Sequence, residues 1–184
     1  TEQFVGLSSK NMIDHFFSHF FVGKNAKINY VKLLNEHATN RHLSDSQWCQ
    51  LADSQVNALC CALAVGQARL NHRVRLLEKG AQANIQALNM TSQQQSVDCH
   101  VTVRHLAPHC RSHQLIRSLC ADDSVVNISG RIYVAKDASN THADLQNKNL
   151  LLSPNAVVNT QPDLEIYNDD VVCTHGATVG MLDQ

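Results

Sequence analysis

Six side chains able to hold a metal ion crowd into fifteen residues: Cys99-His100, His105, His109-Cys110 and His113. Thiolate and imidazole are the ligands zinc and iron prefer. Alternation along a strand, however, sends Cys99 and His105 to one face and His100 to the other. Pro108 then breaks the strand before His109, Cys110 and His113. Structural packing therefore outweighs a metal site in this run. A second pair lies near the C-terminus, in Cys173-Thr-His175, followed by Gly176-Ala-Thr-Val-Gly180. Residues i and i+2 of a strand project to the same side, so sulfur and imidazole can serve one ion there. Two ligands are too few for a stable site, and a partner chain would have to supply the rest. Cys60-Cys61 reads as one buried core thiol beside a divergent neighbour. Arg69, Arg73 and Arg75 form a basic stripe with no aromatic residue between them to stack a base, the pattern of a solvated face.

The elements that must carry these residues are short strands. Leu70, His72, Val74 and Leu76 alternate with Asn71, Arg73 and Arg75. Val97, Cys99, Val101, Val103 and His105 alternate with polar residues in the same way, the period of two that marks a half-buried strand. Ser129 to Val134 and Asp163 to Tyr167 are further strand candidates. Turn signals at Gly23-Lys-Asn25, Lys79-Gly80, Asp122-Asp123, Ser153-Pro154-Asn155 and Asn168-Asp169-Asp170 separate them. Residues 9–21, and Asp45 to Ala64 with Trp48, Leu51, Leu59 and Leu63 on one side, are also compatible with helix; for the second stretch strand is the stronger reading. A small residue, any residue, an apolar residue and Asn recur together, ending at Asn29, Asn71, Asn84, Asn127 and Asn159. The steps of 42 and 43 residues are near twice a period of about 21, one turn of a β-solenoid, with Asn at its corners. On periodicity alone, a parallel β-helix and an antiparallel sandwich fit equally.

Composition narrows the class. A chain of 184 residues and 20.4 kDa fits one domain or a repeat array. A net charge of −1 excludes a polyanion binder driven by bulk charge, and no nucleic-acid partner is expected. Hydrophobic content of 43% supplies a core, but with aromatics at 5% that core must be aliphatic. Seven cysteines without a CxxC pair point to a reducing, cytoplasmic setting. Ile13 to Val22, the most apolar stretch, carries Asp14, His15 and His19 and is too short to span a bilayer, so no membrane is expected. No secretory leader is recognisable.

The run LQNKNLLLSPNAVVNTQPDLEIYNDDVVCTHGATVGMLDQ, residues 145–184, resembles the SufB/SufD family of iron–sulfur cluster assembly proteins. SGRIYVAKDASNTHADLQ (129–146), HLAPHCRS (105–112) and INYVKLLNE (28–36) extend the likeness through nearly the whole chain. The C-x-H-G-A-T-V-G wording is that of the SufD branch, and the corresponding SufB segment typically lacks it. The resemblance implies a right-handed parallel β-helix and a non-enzymatic scaffold that pairs with SufB. It implies the ATPase SufC as a further partner, bound through a C-terminal helical region, with ATP-driven closure opening the interface where a transient iron–sulfur cluster forms. In that family the His of the C-x-H-G motif sits at the SufB–SufD interface, which by motif match is His175, with Cys173 as the weaker candidate ligand. The essential cysteine nucleophile belongs to SufB, so no catalytic residue is expected in this chain.

The chain stops at Gln184, where relatives continue into the SufC-binding region, and begins without their N-terminal helical domain. It therefore reads as a single core domain over 1–184. Uncovered terminal coils predict homodimerisation through Leu164, Ile166, Val171, Cys173, His175 and Thr178, in imitation of the SufB–SufD contact. The isolated core is expected to hold no cofactor. Asp169 or Asp170 is a candidate to fix the His175 tautomer. Two other functions fit a β-helix. A polysaccharide lyase or hydrolase would draw on the acidic cluster Asp163, Glu165, Asp169 and Asp170, and a structural oligomerisation module would need no ligand at all.

Overall fold

Inward apolar and outward polar residues alternate through one ten-residue segment after another, and each such segment is a strand. The computed structural model describes residues 1–6 and 11–182. They form β1 (Glu2–Val5), β2 (Ile13–Val22), β3 (Lys27–Asn35), β4 (Arg41–Gln50), β5 (Gln55–Ala64), β6 (Gln67–Leu76) and β7 (Gln82–Thr91), followed by β8 (Ser96–His105), β9 (Arg111–Cys120), β10 (Val125–Val134), β11 (Thr141–Leu151), β12 (Val157–Ile166) and β13 (Val171–Met181). Odd strands make one sheet in the order β1-β3-β5-β7-β9-β11-β13, and even strands make the other, from β2 to β12. Every pairing is parallel. Each coil thus contributes one strand to each sheet, giving a β-solenoid of about six turns. The antiparallel alternative is excluded.

No helix occurs among the described residues, so both helical alternatives resolve as strand. The first two residues of the 9–21 stretch lie outside the description. In the second stretch Trp48 is buried while Leu51 and Leu63 are 38% and 40% exposed, so no common helical face exists. Trp48 instead stacks on Phe20 of the neighbouring coil, ring centroids 3.8 Å apart. Elsewhere the interior is aliphatic as expected. Leu34, Leu70, Leu76, Ile116, Ile132 and Leu145 are all but fully buried, each stabilising the fold by about 1.5–3 kcal/mol.

The coil is longer than the Asn spacing implied. Partners along the odd sheet run Asn29, Asn57, Asn84, His113, Asp144 and Thr174, steps of 28, 27, 29, 31 and 30 residues. Asn29 to Asn71 therefore spans one and a half coils and crosses from one sheet to the other. A flattened coil has two strands and two turns, so a turn-linked pattern recurs every half coil. The motif Asn residues sit mid-strand on the outer face, where Asn57 Nδ2 donates to Asn29 Oδ1 and Asn159 Nδ2 donates to Asn127 Oδ1. The corners before the odd strands are taken by other left-handed residues: Asn25, Asp53, Gly80, His109 and Asn140. At Gly80, with φ of 73°, an added Cβ would also strike the Asp53 carboxylate one coil below.

Candidate functional site

The sixth coil carries no further coil among the described residues. β12 and β13 are the edge strands of their sheets, and in-register stacking decides which of their side chains face inward. On β13, Val171 overlies Thr141, Cys173 overlies Ala143 and His175 overlies Leu145, all three of the lower residues buried. On β12, Leu164 overlies Ile132 and Ile166 overlies Val134, again buried. Leu164, Ile166, Val171, Cys173 and His175 therefore share the inner face of the last coil, with no coil above it among the described residues. Thr178 does not join them: it pairs with the exposed Lys148 and points outward.

A small cluster of Ile132, Val134, Ala138, Ala143 and Leu145 supports this coil, with Leu164, Val171 and Cys173 packed partly against it. Gly130 makes room for it, since a Cβ there would collide with Leu145 Cδ1. Cys173 is half-buried, and burial raises its thiol above the ordinary range, partly offset by a backbone hydrogen bond from Ala143. His175 is exposed, and beside it an added Cβ at Gly176 would meet only open space. The two Cα atoms lie about 6.6 Å apart by strand rise, so sulfur and imidazole can reach one ion from the same side. Asp170 does not orient the imidazole. It accepts from the Asn140 amide N–H at the corner, while its own N–H donates to Asn168 Oδ1. Four residues of strand, Val171 to His175, or about 13 Å, also separate the start of β13 from His175. Below the coil runs an amide seam, in which Asn149 Nδ2 donates to Asn147 Oδ1 and Asn147 Nδ2 donates to Thr160 Oγ1 at 2.5 Å.

The dense His/Cys run is dispersed as its alternation predicts. Cys99, His105 and Cys110 are fully buried, His100 faces out, and His109 is a corner residue whose Nδ1 meets Asn140 Nδ2 at 2.9 Å. Burial pushes the Cys99 thiol up to about 12 and lowers His105 to about 4. No group of three or more His, Cys, Asp or Glu able to hold a metal occurs among the described residues. Cys60 is buried and Cys61 half-exposed, and all seven cysteines are free thiols. Arg69, Arg73 and Arg75 are exposed, with Arg73 paired to Asp45 at 3.0 Å. Asp163 and Glu165 are both held by Arg131 rather than converging on a cleft.

Two features escaped the reading of the sequence. Ile13, Phe17 and Phe21 line the outer face of edge strand β2, each 62–77% exposed. On the outer face of the odd sheet, His113 Nδ1 lies 2.8 Å from Asp144 Oδ2, and Thr174 Oγ1 donates to Asp144 Oδ1 at 2.5 Å. The 31- and 30-residue steps joining these three were the signal, invisible at the wrong period.

Over residues 1–184 the chain matches the family model for the SUF system FeS cluster assembly SufBD core domain. It is 31% identical to the iron–sulfur cluster assembly protein SufD of Escherichia coli, over 99% of this chain and 43% of that protein. Identity is 28% with an iron–sulfur cluster assembly SufBD family protein of Synechocystis, over 90% of this chain and 37% of the relative. It is 29% with the chloroplastic protein ABCI7 of Arabidopsis thaliana, over 89% of this chain and 34% of the relative. The chain thus spans roughly two fifths of the length of these curated relatives. No helix among the described residues is long and apolar enough to cross a membrane. With a parallel solenoid from Glu2 to Met181 and a family match along its whole length, the chain belongs to the SufBD core domain family of iron–sulfur cluster assembly.

Proposed function

We propose that this chain is the core of a cytoplasmic, non-enzymatic SufD-type scaffold whose last coil forms half of a cluster-building interface with SufB. The observation that carries the reading is the open inner face of β12 and β13. It presents Cys173 and His175 beside Leu164, Ile166 and Val171, a two-ligand site framed by apolar contact surface. The cluster is cargo, built there and passed on, with SufB supplying the missing ligands. Imidazole binds iron through a neutral nitrogen. The Cys173 thiol, held protonated by burial, becomes a ligand once iron is close enough to displace its proton. SufC engages the parent protein through sequence beyond this core.

The edges favour β13 as the pairing strand. Its eleven residues, VVCTHGATVGM, contain neither a charge nor a proline. β12 carries Pro162, which lacks one of the donors that a further strand would use. An uncharged open edge invites strand addition, so alone this core pairs with a second copy through β13.

The test is His175→Ala in the full-length protein, assembled with its partners and reconstituted anaerobically with iron and sulfide. Complex assembly stays intact while cluster yield, read by visible absorbance, falls at least about tenfold. Normal yield in the variant complex removes the site. Equal absorbance from this protein with and without SufB removes the shared interface and leaves a bare structural module.

A further inference from the structure

We propose that the outer face of the odd-numbered sheet, on the side of β13 opposite His175, binds a small ligand through an oxyanion held between Arg111, His113 and His142. This goes beyond the scaffold reading and does not depend on it.

In-register stacking assembles the site. Arg111 and His142 are direct partners on β9 and β11, and His113 pairs with Asp144 one step further along. Strand spacing and rise place Arg111 about 4.8 Å from His142 and about 6.6 Å from His113 at the backbone, with the two histidines on the diagonal about 8 Å apart. Side chains from three such corners converge on one tetrahedral or planar oxyanion. The carboxylate in the array is already taken up by its neighbours, Gln146 Nε2 among them. Both oxygens of Asp144 are engaged, one by His113 Nδ1 and one by the Thr174 hydroxyl. That contact engages Nδ1 and leaves Nε2 as the ring nitrogen available to a ligand. There it accepts from a P–O–H group or, when protonated, donates to a P–O⁻ oxygen. Arg111 and His142 have no side-chain partner of their own among the described residues. Guanidinium is the side chain best shaped for a forked grip on such a group.

The surroundings are those of a ligand cleft rather than a flat surface. A groove of about 410 Å³ runs over β5, β7, β9, β11 and β13 at this point, within the usual range for small molecules. Beyond the basic triangle it is lined by Asn57 and Asn84; with Asn57 Nδ2 donating to Asn29 and Asn84 Oδ1 accepting from Gln86, Asn57 Oδ1 and Asn84 Nδ2 remain for the neutral part of the ligand.

Inorganic phosphate is the probe, titrated into this chain at constant ionic strength with chloride as the compensating anion. Side-chain nitrogen resonances of His113 and His142 are followed by NMR. They shift saturably and with one common affinity. Arg111→Ala weakens binding at least about tenfold, the loss expected for one charge-assisted contact. Asp144→Asn, which releases the His113 ring, weakens it as well. Arg69→Ala, on the other sheet, leaves it unchanged. A linear drift without saturation would overturn the proposal, as would unaltered affinity in Arg111→Ala. Equal weakening by Arg111→Ala and Arg69→Ala would reduce the effect to bulk charge and overturn it too.

Discussion

Acid should unfold this protein through two buried histidines. His72 and His105 are 4% and 0% exposed and lie inside the solenoid. Each ring has one hydroxyl neighbour: Ser46 Oγ is 2.7 Å from His72 Nδ1, and Ser112 Oγ is 2.8 Å from His105 Nε2. Their other nitrogens, His72 Nε2 and His105 Nδ1, are buried without a partner, so a second proton would have no acceptor. Burial lowers both from 6.5 to about 4, helped at His72 by the Lys32 charge. A depressed histidine stabilises the fold fully above 6.5, where both states are neutral. It loses that contribution as pH falls toward 4, because only the unfolded chain takes up the proton. Between pH 8 and pH 5 each histidine gives up about 2 kcal/mol, and the pair about 4, a large share of a domain's 5–15 kcal/mol. His42, also lowered to about 4, is a poorer probe: its neighbour Glu36 is raised by burial and acts in the opposite sense. Guanidinium unfolding followed by circular dichroism at pH 8 and pH 5 measures the loss. In the His72→Gln, His105→Gln double variant the difference between the two pH values shrinks by about 4 kcal/mol. A variant that loses as much stability as the parent over that interval would refute the reasoning.

Two other expectations follow from packing at the C-terminal end. Gly130→Ala drives a methyl into Leu145 Cδ1 and costs about 1–3 kcal/mol, a fall in Tm of roughly 2–12 °C for a chain of this size. Leu145→Ala in the same chain recovers part of that loss, so a strictly additive double-mutant cycle by calorimetry contradicts the collision. Ala177→Lys sets a charge on the open inner face beside His175, and sedimentation should show the self-associated core becoming monomeric. Unchanged association would place the contact elsewhere.

Alternation made the strands readable, because a strand that buries one face repeats every second residue whatever sheet it joins. Leu70 to Leu76 and Val97 to His105 were assigned in this way, and the same parity dismissed Cys99, His105 and His100 as a metal cluster. Strand direction was not readable, since parallel and antiparallel partners impose the same parity. Only the resemblance tipped the balance. The coil length differs from the Asn spacing because outward Asn occurs on both sheets, so Asn29 and Asn71 read as members of one column two coils apart when they face opposite sides. Ser54-Gln-Val-Asn57 fits the recurring wording and marks the true step from Asn29. Of the C-terminal surface, five residues fell together because they share parity across β12 and β13. Thr178 has the opposite parity and lies on the outer face of β13. Asp170 lies only five residues from His175 in sequence, but an extended backbone stretches that distance far faster than a turn does.

Stacked coils touch only the coils beside them, so the protein holds together one layer at a time. Among the described residues the interior layers are clamped from both sides, whereas the layer bearing Cys173 and His175 is clamped from one. Amide hydrogen exchange should accordingly quicken toward Met181, with the final turn peeling away at far less free energy than global unfolding demands.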